Sequence, residues 1–455
     1  AWIKFGLGQP LVAMPLYWLG RGVAATLHAD PGALTRFCVA LLNQAVIPAT
    51  ALVLFLGARR RYGASISLAL TATFLLATPA IPYSRLTFAE PLSGLLLLSA
   101  FLLVWLTGGE RRGALPLTAL RAPYLLAGLC LGLAVLVKPA NAIYVPVPVL
   151  YCIWRAAWSV RWDIALSPMV WRRAATRRML GGLALLGIGL GPGLLLTAAY
   201  NMLRYANPFV FGYEREGFTT PLAVGLYGLL ASPGKGIMFF APPVLLAPVA
   251  LAAWWRSRDP LLHAEVVAIA AQAAIVLVFH ALWSSWEGNI AWGPRLILPL
   301  VPLLLWPLGA LAARPGWRRA WWGLAVIGFL VAVPGALVDQ YYYFDVNHVY
   351  GAGTVAEAEM LFTPAWSQIV AHWRFLLSGT REAVLRPALA GMGLAPTWDL
   401  IVPGGLVAGV LLALVVGVRR AGALTTAVPS PLHAIGDGVP EGALVEPAPG
   451  LTALP

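Results

Sequence analysis

Apolar runs of about 18 residues or more recur along this chain of 455 residues. A run of that length with few charges is what a helix needs to cross a hydrocarbon core roughly 30 Å thick. The runs fall at 34–57, 64–81, 88–106, 122–137, 140–154, 179–201, 236–255, 264–283, 294–312, 320–338 and 400–418. Backbone polar groups in lipid must be satisfied within the segment, so runs of this kind are read as helices. They predict an all-α, polytopic membrane protein with about eleven transmembrane helices plus outer-face interfacial helices. The charge content agrees: 11% of residues are charged, against roughly 25% in a soluble domain. The runs 122–137 and 140–154 are short and joined by Lys138-Pro-Ala-Asn141, which reads as a helical hairpin that barely spans.

A net charge of +13 would suit nucleic acid if it covered one face. Here the charges are short arginine groups between apolar runs, which is a topology signal, and no nucleic-acid partner is expected. Alternating sides along the helices brings Arg59-Arg60-Arg61, Arg111-Arg112, Arg172-Arg173, Arg177-Arg178, Arg318-Arg319 and Arg419-Arg420 to one face, which the positive-inside rule makes cytoplasmic. Residues 1–33 then form an outer-face interfacial segment, with Leu11–Ala25 lying on or dipping into the membrane. Residues 34–338 form the transmembrane bundle. Residues 339–399 form an extracytoplasmic loop in which 355–378 makes one or two surface-lying helices around Pro364. Residues 400–420 are the last crossing, and the Ala-, Pro- and Gly-rich 421–455 is expected to be a disordered cytoplasmic tail. Cys38, Cys130 and Cys152 lie inside apolar runs, with neither disulfide nor metal-ligand spacing. The chain opens Ala1-Trp-Ile-Lys4, without Met or signal peptide, and is expected to be a fragment or processed chain with one more helix upstream.

The outer face carries the chemistry. Its densest stretch is Trp283-Ser-Ser-Trp286-Glu287-Gly-Asn-Ile-Ala-Trp292-Gly-Pro-Arg295. The three Trp read as interface anchors. Arg295 runs against the positive-inside rule at this end, so it is expected to hold an anion, either Glu287 or a substrate phosphate gripped by two donors. Ser232-Pro-Gly-Lys235-Gly precedes an apolar run, and glycine-turned N–H groups at a helix start suit phosphate. The spacing of a nucleotide P-loop is absent. All three lysines, Lys4, Lys138 and Lys235, fall on this face in turns with Gly or Pro, while 28 arginines serve mostly for topology. Lys4, Lys138, Lys235 and Arg295 are therefore the candidate phosphate-binding cations. Glu90 opens an apolar run after Arg85, and reads either as a carboxylate on the helix dipole or as a substrate-orienting or metal-binding acid. Arg85, Glu214, Glu216, Trp286 and Glu287 are the further candidate substrate contacts; Glu214 and Glu216 are solvated charges unless their loop closes over a substrate. His280 reads as a satisfied interior histidine, and His263, His348 and His372 make no metal spacing.

Taken in order, Tyr83-Ser-Arg85 to Glu90-Pro91, Asn201 to Gly217 with the following Phe-Thr-Thr-Pro, Ser232 to Gly236, and Trp292-Gly-Pro-Arg295 resemble bacterial polytopic glycosyltransferases of the C-type superfamily. They are similar to relatives of the protein O-mannosyltransferases and of the aminoarabinose transferase of lipid A. Lys4-Phe-Gly-Leu-Gly-Gln-Pro-Leu is similar to the segment that follows their first outer-loop acidic motif. The resemblance covers most of residues 1–312, and Pro364-Ala-Trp-Ser-Gln is loosely similar too. It implies transfer of a sugar from a polyprenyl-phosphate carrier to a glycan, lipid or protein acceptor on the outer face of the plasma (inner) membrane. It implies a catalytic Asp or Glu just after the first membrane helix. That acid is expected upstream of Ala1, so no base is named here, with Glu90 the second acid. A divalent metal is the candidate cofactor. The rival readings are a multi-pass transporter or lipid flippase, and a polysaccharide polymerase or ligase. Transporters place ionisable groups deep in their spans and show inverted repeats; here the charges gather at the outer ends and no repeat is evident.

Overall fold

The computed structural model describes residues 5–106, 117–161, 168–213, 216–257, 259–346 and 357–378. Lys4, Glu214, the expected last crossing at 400–420 and the tail at 421–455 lie outside the described residues, as do Arg111-Arg112 and Arg419-Arg420. The α-helices are α1 Gly8–Leu27, α2 Pro31–Arg59, α3 Ala64–Leu76, α4 Ala80–Ser84, α5 Glu90–Leu106, α6 Leu117–Val137, α7 Pro146–Arg161, α8 Pro168–Tyr205 and α9 Leu222–Ala231. They continue as α10 Ile237–Phe240, α11 Ala247–Trp255, α12 Pro260–Leu282, α13 Val301–Leu305, α14 Pro315–Leu337, α15 Gln340–Val346, α16 Glu357–Phe362 and α17 Gln368–Leu377. No strand occurs among the described residues.

Every apolar run within the described residues is helical, but helix length varies. Pro31–Arg59, Met179–Tyr205, Pro260–Leu282 and Pro315–Leu337 are long and apolar enough to cross a membrane, and the other runs are shorter or broken. Proline explains much of the breakage, because it removes a backbone N–H and clashes with the preceding turn. Pro299, Pro302 and Pro307 divide the 295–311 run into 3-10 turns around α13. The exposed faces of the long helices are apolar, as with Leu195 and Leu203 on α8 and Val326 and Leu330 on α14. Together with the long apolar helices, this makes the chain a multi-pass membrane protein. The stretch 202–235 between two apolar runs contains α9, whose ten residues are too few to span; it packs instead on α12, with Gly225 against the Ala281 backbone.

The bundle has two chemically different ends. Arg59–Arg61, the first turns of α8 with Arg177, and Arg318-Arg319 at the start of α14 share one end, here the arginine end. Tyr62 fixes this geometry by donating its hydroxyl to the Trp306 carbonyl at 3.2 Å, five residues before α13 and its 3-10 flank give way to α14. The described arginine groups thus fall together, as parity predicts. Glu90, Lys138, Arg204 and Arg295 stand at the opposite end. α6 and α8 run side by side in parallel, with glycines at Gly128 and Gly132 facing Gly189 and Gly193; a Cβ on any of them would overlap the partner backbone. Small residues at that spacing let membrane helices approach closely.

The segment Leu11–Ala25 lies within α1, which is ended by a left-handed His28 (φ 51°). The chain reverses there, and Asp30 caps α2 by accepting from Gly32 N (2.9 Å) and Ala33 N (3.0 Å), with Pro31 at the first helical position. Those two N–H groups hold the Asp30 carboxyl below its usual range. α1 then packs back along α2, Gly20 against Thr35 and Ala13 beside Leu42 and Val46. Asn43 donates to the carbonyls of Leu86 and Phe88, the latter at 2.8 Å. Asn43 lies twelve residues into α2, so about 18 Å of this hairpin stands beyond the level of Phe88.

Candidate functional site

Glu90 is the first residue of α5 and is 4% exposed. Lys138 follows α6 directly and N-caps the 3-10 turn Pro139–Tyr144. That turn is tied to α5 through Asn141, which donates to Ser93 Oγ at 2.8 Å and to the Ala134 carbonyl at 2.7 Å. Ser93 lies three residues after Glu90 and so on the same helix face. The Asn141–Ser93 bond therefore brings Lys138 to Glu90, and Lys138 Nζ donates to Glu90 Oε1 at 2.9 Å. Arg295 approaches the same oxygen, Nε to Oε1, at 3.4 Å. Its guanidinium lies 4.7 Å above the Phe88 ring.

The charges decide what this cluster can do. One carboxylate and two cations sum to +1. Among the described residues Lys138 Nζ has a single partner, and neither Nη of Arg295 makes a hydrogen bond. Their side chains are 18% and 19% exposed. The cluster is thus a partly open cationic pocket with unused donors, suited to one further anion. The residues do not suit a divalent metal: Glu90 is already held by two cations, and no group of three His, Cys, Asp or Glu among the described residues could hold an ion.

Arg295 is delivered by an irregular loop with left-handed turns. Gly288 (φ 75°), Asn289 (φ 57°) and Gly293 (φ 60°) all adopt left-handed backbone, which only glycine and occasionally Asn visit readily. A Cβ on Gly288 would sit 3.3 Å from Arg295 Cβ. External groups hold the loop. Lys235 Nζ, 3% exposed, donates to the carbonyls of Asn289 (3.0 Å) and Ala291 (2.6 Å). Gln368 accepts from Gly293 N at 3.0 Å and donates to the Ala291 carbonyl at 2.9 Å. Tyr83 donates to the Trp292 carbonyl at 2.9 Å. The helices α16 and α17, on either side of Pro364, form a strap across this loop. Ser367 Oγ donates to the Pro233 carbonyl at 2.7 Å, and Gly234 N to the Leu361 carbonyl at 3.1 Å. His372 of the strap is buried with its ring 4.6 Å from that of Trp292, and burial pushes its pKa down to about 3.

The predicted site residues therefore separate. Glu90, Lys138 and Arg295 come together, and the carboxylate that Arg295 meets is Glu90. Lys235 does not join them; its ammonium braces the loop. Glu216 is not a solvated charge: its Oε2 accepts from Trp283 Nε1 at 2.9 Å. The adjoining chain is laced to the end of α12, with Ser284 N on the Gly217 carbonyl (2.8 Å) and Thr220 Oγ1 on the Trp283 carbonyl (2.8 Å). Burial, then the neighbouring Glu216, pushes the Tyr213 phenol up to about 12. Two of the three expected tryptophan anchors are core residues. Trp286 is 6% exposed against Gly228 and Phe362, and Trp292 is 1% exposed against Phe240. Glu287 is half-buried beside Gly288, and Arg85 is buried at the end of α4. His280 Nδ1 donates to the Val276 carbonyl, 2.9 Å away, as a satisfied interior histidine.

The sequence reading found no sign of the contacts that Gln368, His372, Phe88 and Asn141 make, because distant partners set them. It also missed Arg204 at the end of α8, which bonds Asn201 Oδ1 at 2.8 Å and stacks 3.9 Å from the Tyr200 ring. The topology argument that singled out Arg295 applies equally to Arg204. At the arginine end, Arg61 was read only as a topology signal, yet it forms a two-pronged pair with Glu265 of α12. Arg61 Nη2 lies 2.6 Å from Glu265 Oε1, and Nη1 bonds Oε2.

An apolar cleft of about 470 Å³ runs between α1 and α2, lined by Gln9, Ala13, Tyr17, Val39, Leu42 and Thr87. Gln9 Nε2 donates to the Thr87 carbonyl at 2.8 Å, and Thr87 adjoins the Phe88 on which Arg295 rests.

No protein-family model matches the chain, and no curated protein matches it. Among solved structures it is similar to the crystal structure of ArnT from Cupriavidus metallidurans in the apo state, at 16% identity and a TM-score of 0.46, over 90% of this chain and 66% of that one. It is also similar to ArnT from the same organism bound to undecaprenyl phosphate, at 18% identity and a TM-score of 0.46, over 83% of this chain and 62% of that one. The chain thus spans less than two thirds of the length of those proteins. A likeness of this degree assigns no function.

Proposed function

We propose that this protein is a glycosyltransferase that moves a sugar from a polyprenyl-phosphate carrier to an acceptor on the extracytoplasmic face. The observation that carries the reading is the open cluster of Glu90, Lys138 and Arg295: a net positive pocket with unused donors at the end of the bundle opposite the arginine groups. A soluble anion would not need the apolar cleft, whereas a lipid phosphate has both a charged head and an apolar chain. The sequence resemblance to C-type glycosyltransferases points the same way.

In such a transfer the acceptor hydroxyl oxygen attacks the anomeric carbon. The bond from that carbon to the phosphate oxygen breaks, and the acceptor proton passes to a carboxylate. The leaving lipid phosphate gains charge as it departs, and Lys138 and Arg295 are placed to stabilise it. Glu90 is a poor base because two cations hold it; its role is to fix their positions. By the positive-inside rule the arginine end is cytoplasmic and the cluster faces out.

The test is binding of undecaprenyl phosphate to the detergent-solubilised chain. Arg295→Ala and Lys138→Gln should each weaken binding while the protein remains inserted; wild-type affinity in both would end the phosphate role. A cysteine at position 350 should react with an impermeant thiol reagent from outside, and reaction only after lysis would reverse the orientation. Translocation of the lipid without sugar transfer in proteoliposomes would favour a flippase.

A further inference from the structure

The cation that most sharply defines the open cluster stands on a loop that does not hold itself. Three left-handed residues, Gly288, Asn289 and Gly293, leave the backbone of 288–295 without regular hydrogen bonds. Its polar groups are satisfied from outside, by Gln368 of the strap, Lys235 of the 232–236 turn and Tyr83 of α4. The Gln368 amide is the central piece: its oxygen takes the Gly293 N–H, and its nitrogen serves the Ala291 carbonyl that Lys235 also serves. Gln340 approaches the next carbonyl, Ile290, at 3.4 Å. Arg295 N in turn donates to the Gly293 carbonyl at 3.0 Å, so the clamp acts two residues from the guanidinium. Gln368 is 2% exposed and touches no part of the cluster.

We infer that Gln368 is a positioning residue for Arg295, and that docking of the 357–377 strap and occupancy of the anion pocket are therefore coupled. The inference rests on the proposed phosphate role of Arg295 and adds to it a device that neither the sequence resemblance nor the cluster itself supplies. A residue buried only for stability would lower the folded fraction and leave the affinity of folded molecules alone. A positioning residue changes the affinity itself. Coupling between strap and pocket is also reciprocal: whatever the docked strap does for the ligand, the ligand does for the strap.

The experiment measures undecaprenyl phosphate binding by the folded, detergent-solubilised chain, with hydrogen exchange as a second readout. Gln368→Leu leaves the Gly293 N–H buried without a partner, and affinity should fall about tenfold. Gln368→Glu keeps the acceptor for Gly293 N but loses the donor to Ala291, and should fall between wild type and Gln368→Leu. In the wild type, the lipid phosphate should slow amide exchange across 357–377, and in Arg295→Ala that protection should vanish. Unchanged affinity in Gln368→Leu, or no protection of the strap in a wild type that binds the lipid, would overturn the coupling. Should Gln368→Leu fail to fold, the exchange experiment on the wild type decides alone. Undiminished binding in Arg295→Ala would instead sink the phosphate role, a result distinct from both.

Discussion

The two ends of this bundle each hold an arginine against a glutamate, and they solve the same electrostatic problem differently. At the arginine end Arg61 and Glu265 close on each other with two parallel contacts, and the guanidinium lies 4.8 Å from the Trp254 ring and 5.8 Å from the Trp306 ring. That pair is neutral, and each terminal nitrogen of Arg61 holds one oxygen of the Glu265 carboxylate. At the other end Arg295 reaches Glu90 with one nitrogen, shares the carboxylate with Lys138 and keeps its Nη groups unspent. The closed pair belongs to stability, and the open cluster has something left to bind. An arginine beside a carboxylate is thus not informative by itself; the count of unused donors is.

Four experiments would break or sharpen this contrast. The largest effect is expected at the closed pair: Arg61→Ala should cost about 3–5 kcal/mol of stability, because it strands the buried Glu265. The double variant Arg61→Met with Glu265→Leu should recover most of that loss in thermal unfolding, and lipid-phosphate affinity should not move. Next, Arg295→Ala should lower undecaprenyl phosphate affinity roughly 30-fold or more, the scale for truncating one partner of a charge pair. Its stability should change by about 1 kcal/mol or less, mainly the lost stacking on Phe88. If instead stability collapsed and binding survived, the assignments of the two ends would be exchanged.

A smaller effect is expected from Glu90→Gln, which raises the cluster from +1 to +2. Lipid phosphate should bind a few-fold tighter at low salt, an advantage that disappears as salt screens the site. Sugar transfer should nevertheless slow, since the two cations lose the carboxylate charge that aligns them. An unchanged rate would reduce Glu90 to a helix-end charge. The last effect is read against pH and concerns the strap. His372 is held neutral to about pH 3, while an exposed histidine titrates near 6.5. Above pH 6.5 both folded and unfolded chains carry it neutral. As pH falls from 6.5 towards 3 only the unfolded chain takes the proton, so stability declines by up to about 1.4 kcal/mol per unit. His372→Phe should flatten that part of the melting profile against pH and leave the profile above pH 7 unaltered.

Much of the fold was legible in the chain, because length and apolarity are local properties. All the apolar runs within the described residues are helical, and the described arginine groups gather at one end as parity required. The lengths of the helices were less legible: prolines at 299, 302 and 307 and the break at Thr78 shorten segments that composition alone would extend. α9 escaped notice since ten residues neither span a membrane nor show in a hydropathy window. In the site, Arg295 and Lys138 stood out because cations are out of place at that end. Lys235 stood out for the same reason and took a different role, as brace of the loop rather than a member of the cluster. Charge and turn context are the same for both lysines, and only the direction of the ammonium tells them apart.

Hydrophobic run length and charge asymmetry, both additive along the chain, therefore determined the class of this protein and which end carries its polar groups. The tertiary structure alone decided which of those groups meet. Hydrogen bonds and ion pairs act over about 3 Å, and the groups that meet here lie far apart in sequence: Asn141 with Ser93, Lys138 with Glu90, Gln368 with Gly293. No local pattern encodes a coincidence of that kind, so the distinction between a spent arginine and an available one appears only when the helices have packed.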